Sequence, residues 1–421
     1  MLITNARVLT FDTSNQVLDS GSVEIREDGT IAALLPEPRP HATPGPCIDA
    51  RGRVLMPALI NCHTHLYSTL ARGLALPGPP PRNFPEILRK LWWRLDCTLT
   101  PDDIYYSALV GLIDSAKNGV ATLIDHHSSP NACPGSLDFV ERAFREVGLR
   151  GALCYETSDR NGVDKTTEAI RENIRFIESR KPDHLVSATF GLHAAFTLTD
   201  DSLARCVEAN QSLRAAFHIH LAEDVCDVNA VRRLAHAGIL EKRTLAAHCL
   251  HVTPEDIHIL ASHGVNVVHN PQSNCNNGVG VANVSGLIRR GVMVGLGSDG
   301  YSPRLWDEFK TSLHLQKPDA RTPAPLLNNR TIVQKLWGLH LGRIEPGAKA
   351  DLILVDYFPP TPLTPDNLTG HLVFGISNAP VDSLIVNGRF IIKDRQCVTV
   401  DERAIAEKAA KQAESLWSRL A

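Results

Sequence analysis

The chain has 421 residues, of which 43% are apolar, and its formal charge is −3. It contains neither a run of like charges nor an apolar stretch of ~18 residues, which argues against nucleic acid and membranes as partners. The N-terminus lacks the basic and apolar regions of a signal peptide and the ten cysteines form no C-x-x-C pair, so we expect a cytoplasmic protein with reduced thiols.

Both ends of the chain are predicted to form short β-strands. The strand-like runs, which are separated by turn residues, lie at 2–10, 21–25, 30–34, 350–356 and 383–389. Neither end has enough strands for a stable domain of its own. We therefore expect residues 1–57 and 347–421 to form one small β-sandwich domain together.

The middle of the chain, residues 58–346, alternates between predicted strands and helices. The apolar strand-like runs lie at 58–65, 121–126, 150–156, 185–193, 215–221, 244–249, 265–270 and 292–299. The helical patterns between them lie at 102–118, 137–147, 165–179, 201–211, 228–237, 254–262 and 284–290. Apolar strands that alternate with helices indicate a parallel sheet covered on both faces. Eight such units predict an α/β fold of the TIM (β/α)₈ barrel type.

Polar side chains stand at the carboxyl ends of most of these strands. They are His63, His65, Asp125, His126, Glu156, His193, His220, His248, His269 and Asp299. In a barrel these strand ends meet at one face, where the catalytic groups of this fold lie. A single histidine at a strand end is more often a loop residue than a metal ligand. Polar residues at the ends of nearly all the strands are a stronger signal, because random placement would scatter them along the strands.

Four of these side chains are candidate metal ligands. His63 and His65 alternate along one strand and therefore face the same side. His220 ends another strand, where His218 has the same facing and could share or replace its role. Asp299 lies between glycines that permit a sharp turn. Three nitrogens and one oxygen suit one divalent Zn or Fe ion with room for a water, which is typical of a catalytic site.

Two further residues are candidates for proton chemistry. Glu223 follows His220 by three residues, so its carboxylate could lie over the metal as a proton shuttle, although an ordinary surface glutamate fits the same pattern. His248 could hydrogen-bond the attacking water or polarise the substrate. Alternatively, it could only pack in the core or support the metal ligands.

Candidate substrate contacts come from two sources. The stretch 66–94 is rich in Pro and Gly, and a loop of this length is often a lid, although it could be a plain surface excursion. The candidates, from this stretch and from two strand ends, are Tyr67, Arg72, Trp92, His193 and His269.

The assembled motifs resemble the amidohydrolase superfamily, in particular its deaminase and chlorohydrolase branch. They are N-C-H-T-H at 61–65, H-I-H-L-A-E at 218–223, A-H-C at 247–249, H-N-P-Q-S-N at 269–274 and G-S-D-G at 297–300. Segments 91–96 and 124–127 are most similar to the SsnA-like aminohydrolases.

The resemblance implies one divalent metal at the mouth of a TIM barrel. It implies four ligands, which are His63, His65, His220 and Asp299, with Glu223 as proton carrier and His248 as a further catalytic histidine. No lysine ends the fourth strand, which argues against the branch that uses a carbamylated lysine and two metals. Homo-oligomers are also common among such proteins, and we expect one here.

The predicted reaction is hydrolytic deamination of a C–NH₂ or amidine-like carbon in a purine, pterin or pyrimidine. Asp299 would take a proton from the attacking water, Glu223 would protonate a ring nitrogen, and His248 would stabilise the oxyanion. A chlorohydrolase or another C–N or amide hydrolase could use the same mononuclear site, and a non-catalytic barrel scaffold is a remote alternative. Release of ammonia rather than chloride distinguishes a deaminase from a chlorohydrolase, and metal analysis tests whether the protein is a non-catalytic scaffold.

Overall fold

A computed structural model describes residues 1–38, 45–180, 185–318 and 321–420. Within these ranges, no helix is long and apolar enough to cross a membrane.

The described strands are β1 Leu2–Leu9, β2 Val17–Ile25, β3 Ile31–Leu35, β4 Cys47–Asp49, β5 Val54–Pro57, β6 Leu59–Thr64, β7 Val120–His127, β8 Arg150–Tyr155, β9 Val186–Ala188, β10 Phe190–Ala194, β11 Phe217–Leu221, β12 Leu245–His248, β13 Asn266–His269, β14 Met293–Leu296, β15 Leu352–Val355, β16 Val381–Val386, β17 Arg389–Lys393 and β18 Gln396–Cys397.

The described α-helices are α1 Phe84–Ile87, α2 Trp93–Thr98, α3 Pro101–Lys117, α4 Ser136–Val147, α5 Val163–Glu178, α6 Asp200–Leu213, α7 Ala230–His236, α8 Pro254–Ser262, α9 Pro271–Asn277, α10 Val284–Arg289, α11 Leu305–His314, α12 Ala324–Trp337, α13 Leu368–Phe374 and α14 Glu402–Leu420. Short 3₁₀ helices include Leu66–Ala71, and a π-helical turn spans Leu88–Trp92.

The two ends of the chain share one sheet. Its strand order is β18-β17-β16-β15-β5-β1-β2-β3, and β4 pairs with the free part of β1. The N-terminal and C-terminal parts meet where β5 pairs antiparallel with β15, with Met56 opposite Ile353. The predicted union of the two ends is therefore present as hydrogen-bonded strands, whereas its two-layer sandwich form stays a prediction.

The middle of the chain forms parallel strands with intervening helices, as the alternation predicts. One sheet has the order β6-β7-β8-β9 and the other the order β10-β11-β12-β13-β14. All eight predicted runs form strands, but the run 185–193 is divided at Thr189 into β9, which pairs with β8, and β10, which pairs with β11. Two isolated bridges, Thr157 to Leu192 and Thr64 to Asp299, link the edges of the two sheets.

The apolar pattern of the middle strands and helices explains their packing. Every residue of β7 and β8 is buried, as expected for strands with both faces covered. On α4 the apolar side chains recur at helical spacing and face the strands. Phe144 of this helix lies so close to β8 that a Cβ on Gly151 would stand 2.7 Å from its ring. Only glycine fits at this point of the strand.

The chain-end sheet contacts the middle strands through a buried ion pair. Arg150 begins β8, and its Nε lies 2.6 Å from Oδ2 of Asp351, which precedes β15. Both side chains are buried, and the same guanidinium also bonds Oδ1 of Asn387 at 3.1 Å. Removing either charge would take from the other its buried ion pair, which is strongly destabilising.

The last residues form a helix rather than further strands. Helix α14 packs against α3, where Gln412 Nε2 donates to Asp103 Oδ1 at 2.8 Å. Trp417 donates its indole N–H to the carbonyl oxygen of Leu70 at 2.8 Å. The division of the chain at residues 57 and 347 stays a prediction.

Candidate active site

The carboxyl ends of the middle strands bring the four predicted ligands together. His65 Nε2 lies 3.0 Å from His220 Nε2 and 3.1 Å from Asp299 Oδ1. His63 Nε2 lies 3.7 Å from the same carboxylate oxygen. These separations are close to those between ligand atoms around an ion with bonds of about 2.0–2.2 Å.

The other nitrogen of each histidine is held by a neighbouring group. His65 Nδ1 donates to the carbonyl oxygen of His126 at 2.6 Å, and His220 Nδ1 donates to that of His193 at 2.8 Å. These bonds leave the two Nε2 lone pairs facing each other, an arrangement that a cation between them would relieve. The donor set therefore fits a divalent metal.

His63 completes this set from the centre of the site. Its Nδ1 lies 2.9 Å from Nε2 of His218, and its buried Nε2 has no hydrogen-bond partner in the described part of the chain. Burial, reinforced by the neighbouring histidines, holds the pKa of His63 well below its ordinary value. A neutral imidazole with a free nitrogen is the form that binds a metal.

The charges around the site also favour a cation. Burial opposes a charge on His65, yet the hydrogen bond to Asp299 and the nearby carboxylates raise the pKa of His65 to about 9. Burial would likewise raise the pKa of Asp299, but the contact with His65 holds it well below its usual range. The site thus stabilises positive charge at the point where the ligand atoms converge.

The two oxygens of Asp299 have different neighbours. Its backbone has a φ of 54°, and Oδ1 accepts the N–H of Gly300 at 2.8 Å while facing the histidine ligands. Oδ2 accepts the hydroxyl of Ser273 at 2.5 Å and lies 3.8 Å from Nε2 of His248. One oxygen is therefore directed to the donor set and the other to the residues that would handle protons.

Glu223 and His248, the two residues predicted to handle protons, lie beside the donor set. His248 Nε2 is 3.5 Å from Oε2 of Glu223, while its Nδ1 donates to Oδ1 of Asn274 at 2.8 Å. Burial raises the pKa of Glu223 to about 7, although the charge of His248 opposes the shift. A carboxyl group that titrates near neutrality can both give and take a proton.

Three nearby residues were named from the sequence only as strand-end or alternative positions. Glu156 is buried with Oε1 3.3 Å from His65 Nδ1 and 3.2 Å from His126 Nδ1. His126 could join His63, His65 and His220 as a ligand by its position. His218 lies behind His63 and contacts it through Nε2. Their positions at strand ends were the sequence signal for these residues. Strand periodicity indicates which way a side chain points, but not how far it lies from the ligands.

A cleft opens over the donor set. Three of the predicted substrate contacts, Tyr67, Trp92 and His193, line it. Further lining comes from apolar and aromatic side chains, namely Phe84, Leu88, Trp93, Phe196 and Tyr301. The stretch 66–94 therefore walls the cleft, and it does so partly as helix, through the 3₁₀ helix, α1 and the π-helical turn.

Two predicted substrate contacts lie elsewhere. The guanidinium of Arg72 is largely exposed and pairs with Asp114 at 2.8 Å, in a neighbouring cavity rather than in the cleft. His269 is buried at the end of β13 and does not line the cleft. This geometry gives no support to a substrate contact by either residue.

Arg160 is a cleft residue that the sequence reasoning did not single out. Its side chain is largely buried and forms an ion pair with the buried Asp96. The guanidinium carbon lies 5.5 Å from the centre of the Trp93 ring. Burial raises the pKa of Asp96 to about 6, although Arg160 opposes this shift. No local sequence motif predicts this ion pair, because Arg160 and Asp96 are far apart in the sequence.

The fold and donor set define a class: α/β proteins with a histidine and aspartate metal centre at the strand ends. The sequence matches the Amidohydrolase family over residues 54–391, and the chain belongs to this family. The deaminase and chlorohydrolase branch of the prediction is confirmed, and the narrower likeness to SsnA-like aminohydrolases stays a prediction.

Named relatives match the chain over almost its whole length. It is 32% identical over 445 residues to the 5-methylthioadenosine/S-adenosylhomocysteine deaminase of Desulforudis audaxviator, covering 99% of both proteins. It is 31% identical over 442 residues to the 5'-deoxyadenosine deaminase of Methanosarcina mazei, covering 100% of this chain and 99% of that one.

Solved structures share the fold. An adenosine deaminase from Xanthomonas campestris with bound zinc has a TM-score of 0.86 at 22% identity, covering 99% of this chain and 98% of that one. The atrazine chlorohydrolase from Arthrobacter aurescens TC1 complexed with zinc has a TM-score of 0.82 at 19% identity, covering 99% of both chains.

Proposed function

We propose that this protein is a metal-dependent aminohydrolase that removes the amino group from a purine-type heterocycle, with water as the second substrate. The observation that carries the proposal is the convergence of Glu223, His248 and Asp299 Oδ2 beside a histidine donor set. Deamination needs both a base for the attacking water and an acid for the ring nitrogen, and these groups supply both.

The proposed cofactor is one zinc ion held by His63, His65, His220 and Asp299. The convergent nitrogens and the negative environment support this set, and solved structures of the same fold contain zinc. When bound, such an ion lowers the pKa of water from 15.7 to about 7 and so supplies a nucleophile at neutral pH.

The protein's own side chains would handle the protons. Asp299 Oδ2, which faces His248, takes a proton from the attacking water. Glu223 gives its proton to the ring nitrogen next to the reacting carbon, so that this carbon becomes tetrahedral without an unprotonated nitrogen anion. Because Nδ1–H is given to Asn274, His248 donates from Nε2 to the added oxygen in its doubly protonated form. Asp299 then passes its proton to the amino group, ammonia leaves, and the proton of the added hydroxyl group returns to Glu223.

The purine-type substrate is supported by the relatives and by the cleft. Both relatives described above bear the names of adenosine-type deaminases. The aromatic side chains of Phe84, Trp93 and Phe196 in the cleft can pack against a flat heterocycle, and Glu223, which also lines the cleft, would meet a ring nitrogen.

Several finer features belong to the same proposal. The bridges Thr157 to Leu192 and Thr64 to Asp299 support closure of the middle strands into a (β/α)₈ barrel over residues 58–346. The pairing of β5 with β15 supports a composite domain of residues 1–57 and 347–421. Homo-oligomeric assembly rests on family likeness, and a cytoplasmic location rests on the cysteine pattern of the sequence.

An ammonia-release screen tests the proposal. Zinc-loaded protein is incubated with adenosine, 5'-substituted adenosines, aminopterins, aminopyrimidines and chlorotriazines. We expect ammonia from at least one aminated purine and its loss after chelation. Chloride release without ammonia would identify the chlorohydrolase alternative, and protein that binds no metal and releases neither product would contradict the proposal and favour a non-catalytic scaffold.

A further inference from the structure

The short helix α9 contacts all three groups that would handle protons. Ser273 Oγ donates to Asp299 Oδ2 at 2.5 Å, and Asn274 Oδ1 accepts from His248 Nδ1 at 2.8 Å. Asn277 Nδ2 lies 3.4 Å from Oε1 of Glu223. No other helix in the described ranges has a side chain bonded to each of the three.

The helix contacts the proton-handling atoms and avoids the metal-facing ones. Asp299 Oδ1, which faces the histidine ligands, accepts the backbone N–H of Gly300, whereas only Oδ2 meets Ser273. The predicted histidine ligands are held instead by carbonyl oxygens and by His218. Helix α9 therefore holds the proton-handling atoms, which include Asp299 Oδ2, whereas other parts of the structure hold the histidine ligands and Asp299 Oδ1.

Helix α9 is itself fixed from behind. The buried carboxyl group of Glu308 on α11 accepts the backbone N–H of Gln272 at 3.0 Å. Pro271 begins the helix, and Gly278 ends it with a φ of 66°. A helix tied at its start and stopped after seven residues holds its side chains in a narrow range of positions.

The contact between Asn274 and His248 has a specific chemical consequence. The imidazole must donate from Nδ1 to Oδ1 of Asn274, so Nε2 is the nitrogen directed toward Glu223 and Asp299. The amide nitrogen of Asn274 is buried without a hydrogen-bond partner among the described residues. The carbonyl oxygen of this side chain is thus the atom that the site uses.

We propose that Ser273, Asn274 and Asn277 are positioning residues that align Asp299, His248 and Glu223 with the reacting atoms. This inference rests on the proposed deaminase function. Misplacement of a catalytic group by about 1 Å can lower the rate ~100-fold. The loss should fall on kcat, because the histidine ligands, Asp299 Oδ1 and the aromatic wall of the cleft are held by other elements.

Paired substitutions at Asn274 separate positioning from packing. Asn274→Asp keeps an acceptor for His248 Nδ1, whereas Asn274→Leu keeps the volume and removes the acceptor. We expect Asn274→Leu to lower kcat about 100-fold, with KM within about threefold and one metal per chain. Asn274→Asp should keep kcat within about tenfold. Cys275→Ser, at an exposed position of the same helix, is the matched control and should match the unmodified protein.

A second variant and a second measurement keep the inference testable. If Asn274→Leu does not fold, Ser273→Ala removes only a hydroxyl group and should lower kcat at least tenfold with the metal retained. In protein labelled with ¹⁵N-histidine, NMR should detect the Nδ1–H form of His248 in the unmodified protein and its loss in Asn274→Leu, whatever the substrate.

The outcomes separate the two proposals. An unmodified protein that deaminates nothing contradicts the proposed function, while the NMR comparison still tests the role of Asn274. Equal kcat in Asn274→Leu and Asn274→Asp, loss of metal together with activity, or an unchanged His248 signal in Asn274→Leu would each overturn the positioning role.

Discussion

Replacement of Glu223 by glutamine gives the sharpest test of the proposed chemistry. Glutamine has nearly the same shape and can still meet the amide of Asn277, which lies 3.4 Å from Oε1 of Glu223. It cannot transfer a proton to a ring nitrogen. General acid–base catalysis contributes ~10²–10⁴-fold, so we expect kcat to fall by this factor, equivalent to about 2.7–5.5 kcal/mol in the barrier.

The pH dependence follows from the environment of the same group. Burial raises the pKa of Glu223 to about 7, so at pH 7 about half of the carboxyl groups carry the proton that the reaction needs. Two pH units higher, roughly 1% would do so, and kcat/KM should fall about 50-fold between pH 7 and pH 9. A cation at the donor set favours the carboxylate and would move this decline to lower pH.

The assay is steady-state ammonia release from pH 5 to 10, with metal content measured on every sample. The glutamine variant should retain one metal per chain and lose the decline at high pH, because it has no group that titrates at this position. Normal turnover by Glu223→Gln, or an identical pH profile in both proteins, would refute the role of Glu223. Loss of metal would instead indicate that Glu223 supports the ligand set.

Three further predictions concern the metal, the ion pair and a buried carboxyl group. His220→Ala should bind less than a tenth of the metal of the unmodified protein and release no ammonia, as judged by metal analysis and the same assay. Asp351→Asn should lower the free energy of unfolding by about 3–5 kcal/mol, because the buried guanidinium of Arg150 loses this ion pair, and Arg150→Met combined with Asp351→Leu should recover at least half of this loss in denaturant titrations. Burial raises the pKa of Asp227 to about 6 from 3.8, so its contribution to stability is present below pH ~4 and is lost as the pH rises through 6, at a cost of about 3 kcal/mol. The stability of the unmodified protein relative to Asp227→Asn should therefore fall between pH 4 and 7, and a constant difference would contradict this account.

The strand framework could be predicted because burial on both faces leaves a clear apolar pattern. All eight runs of the middle region form strands, and the helices between them begin within a few residues of the predicted positions. The division of the fourth run at Thr189 was not predictable. It arises because β9 pairs with β8 whereas β10 pairs with β11. A single sequence does not reveal which neighbouring strand a residue pairs with.

The site could be predicted where strand geometry alone determines direction. His63 and His65 face the same side by alternation, and the structure brings them to His220 and Asp299. The contacts of α9 could not be predicted in this way. Its sequence, P-Q-S-N-C-N-N, has no apolar periodicity, and its polar side chains find partners more than 25 residues away that no spacing rule reveals.

Arg72 illustrates the opposite case. Its position in a Pro- and Gly-rich stretch after the first ligand strand suggested a substrate contact, yet Asp114 on α3 takes its guanidinium at 2.8 Å. A long cationic side chain reaches any acidic group within several ångströms, and that choice depends on how helices pack. Sequence reasoning named Tyr67 and Trp92, which line the cleft, but it could not determine that Arg72 turns toward Asp114 instead.

The pairing of β5 with β15 has a consequence for biosynthesis. Val54–Pro57 must wait for Leu352–Val355 to leave the ribosome before the sheet can be completed. At about 5–20 residues per second, nearly 300 residues of intervening chain take roughly 15–60 seconds to translate. During that interval the apolar edge of β5 is open to wrong neighbours, so we expect the nascent polypeptide to depend on chaperones until its last segments have emerged.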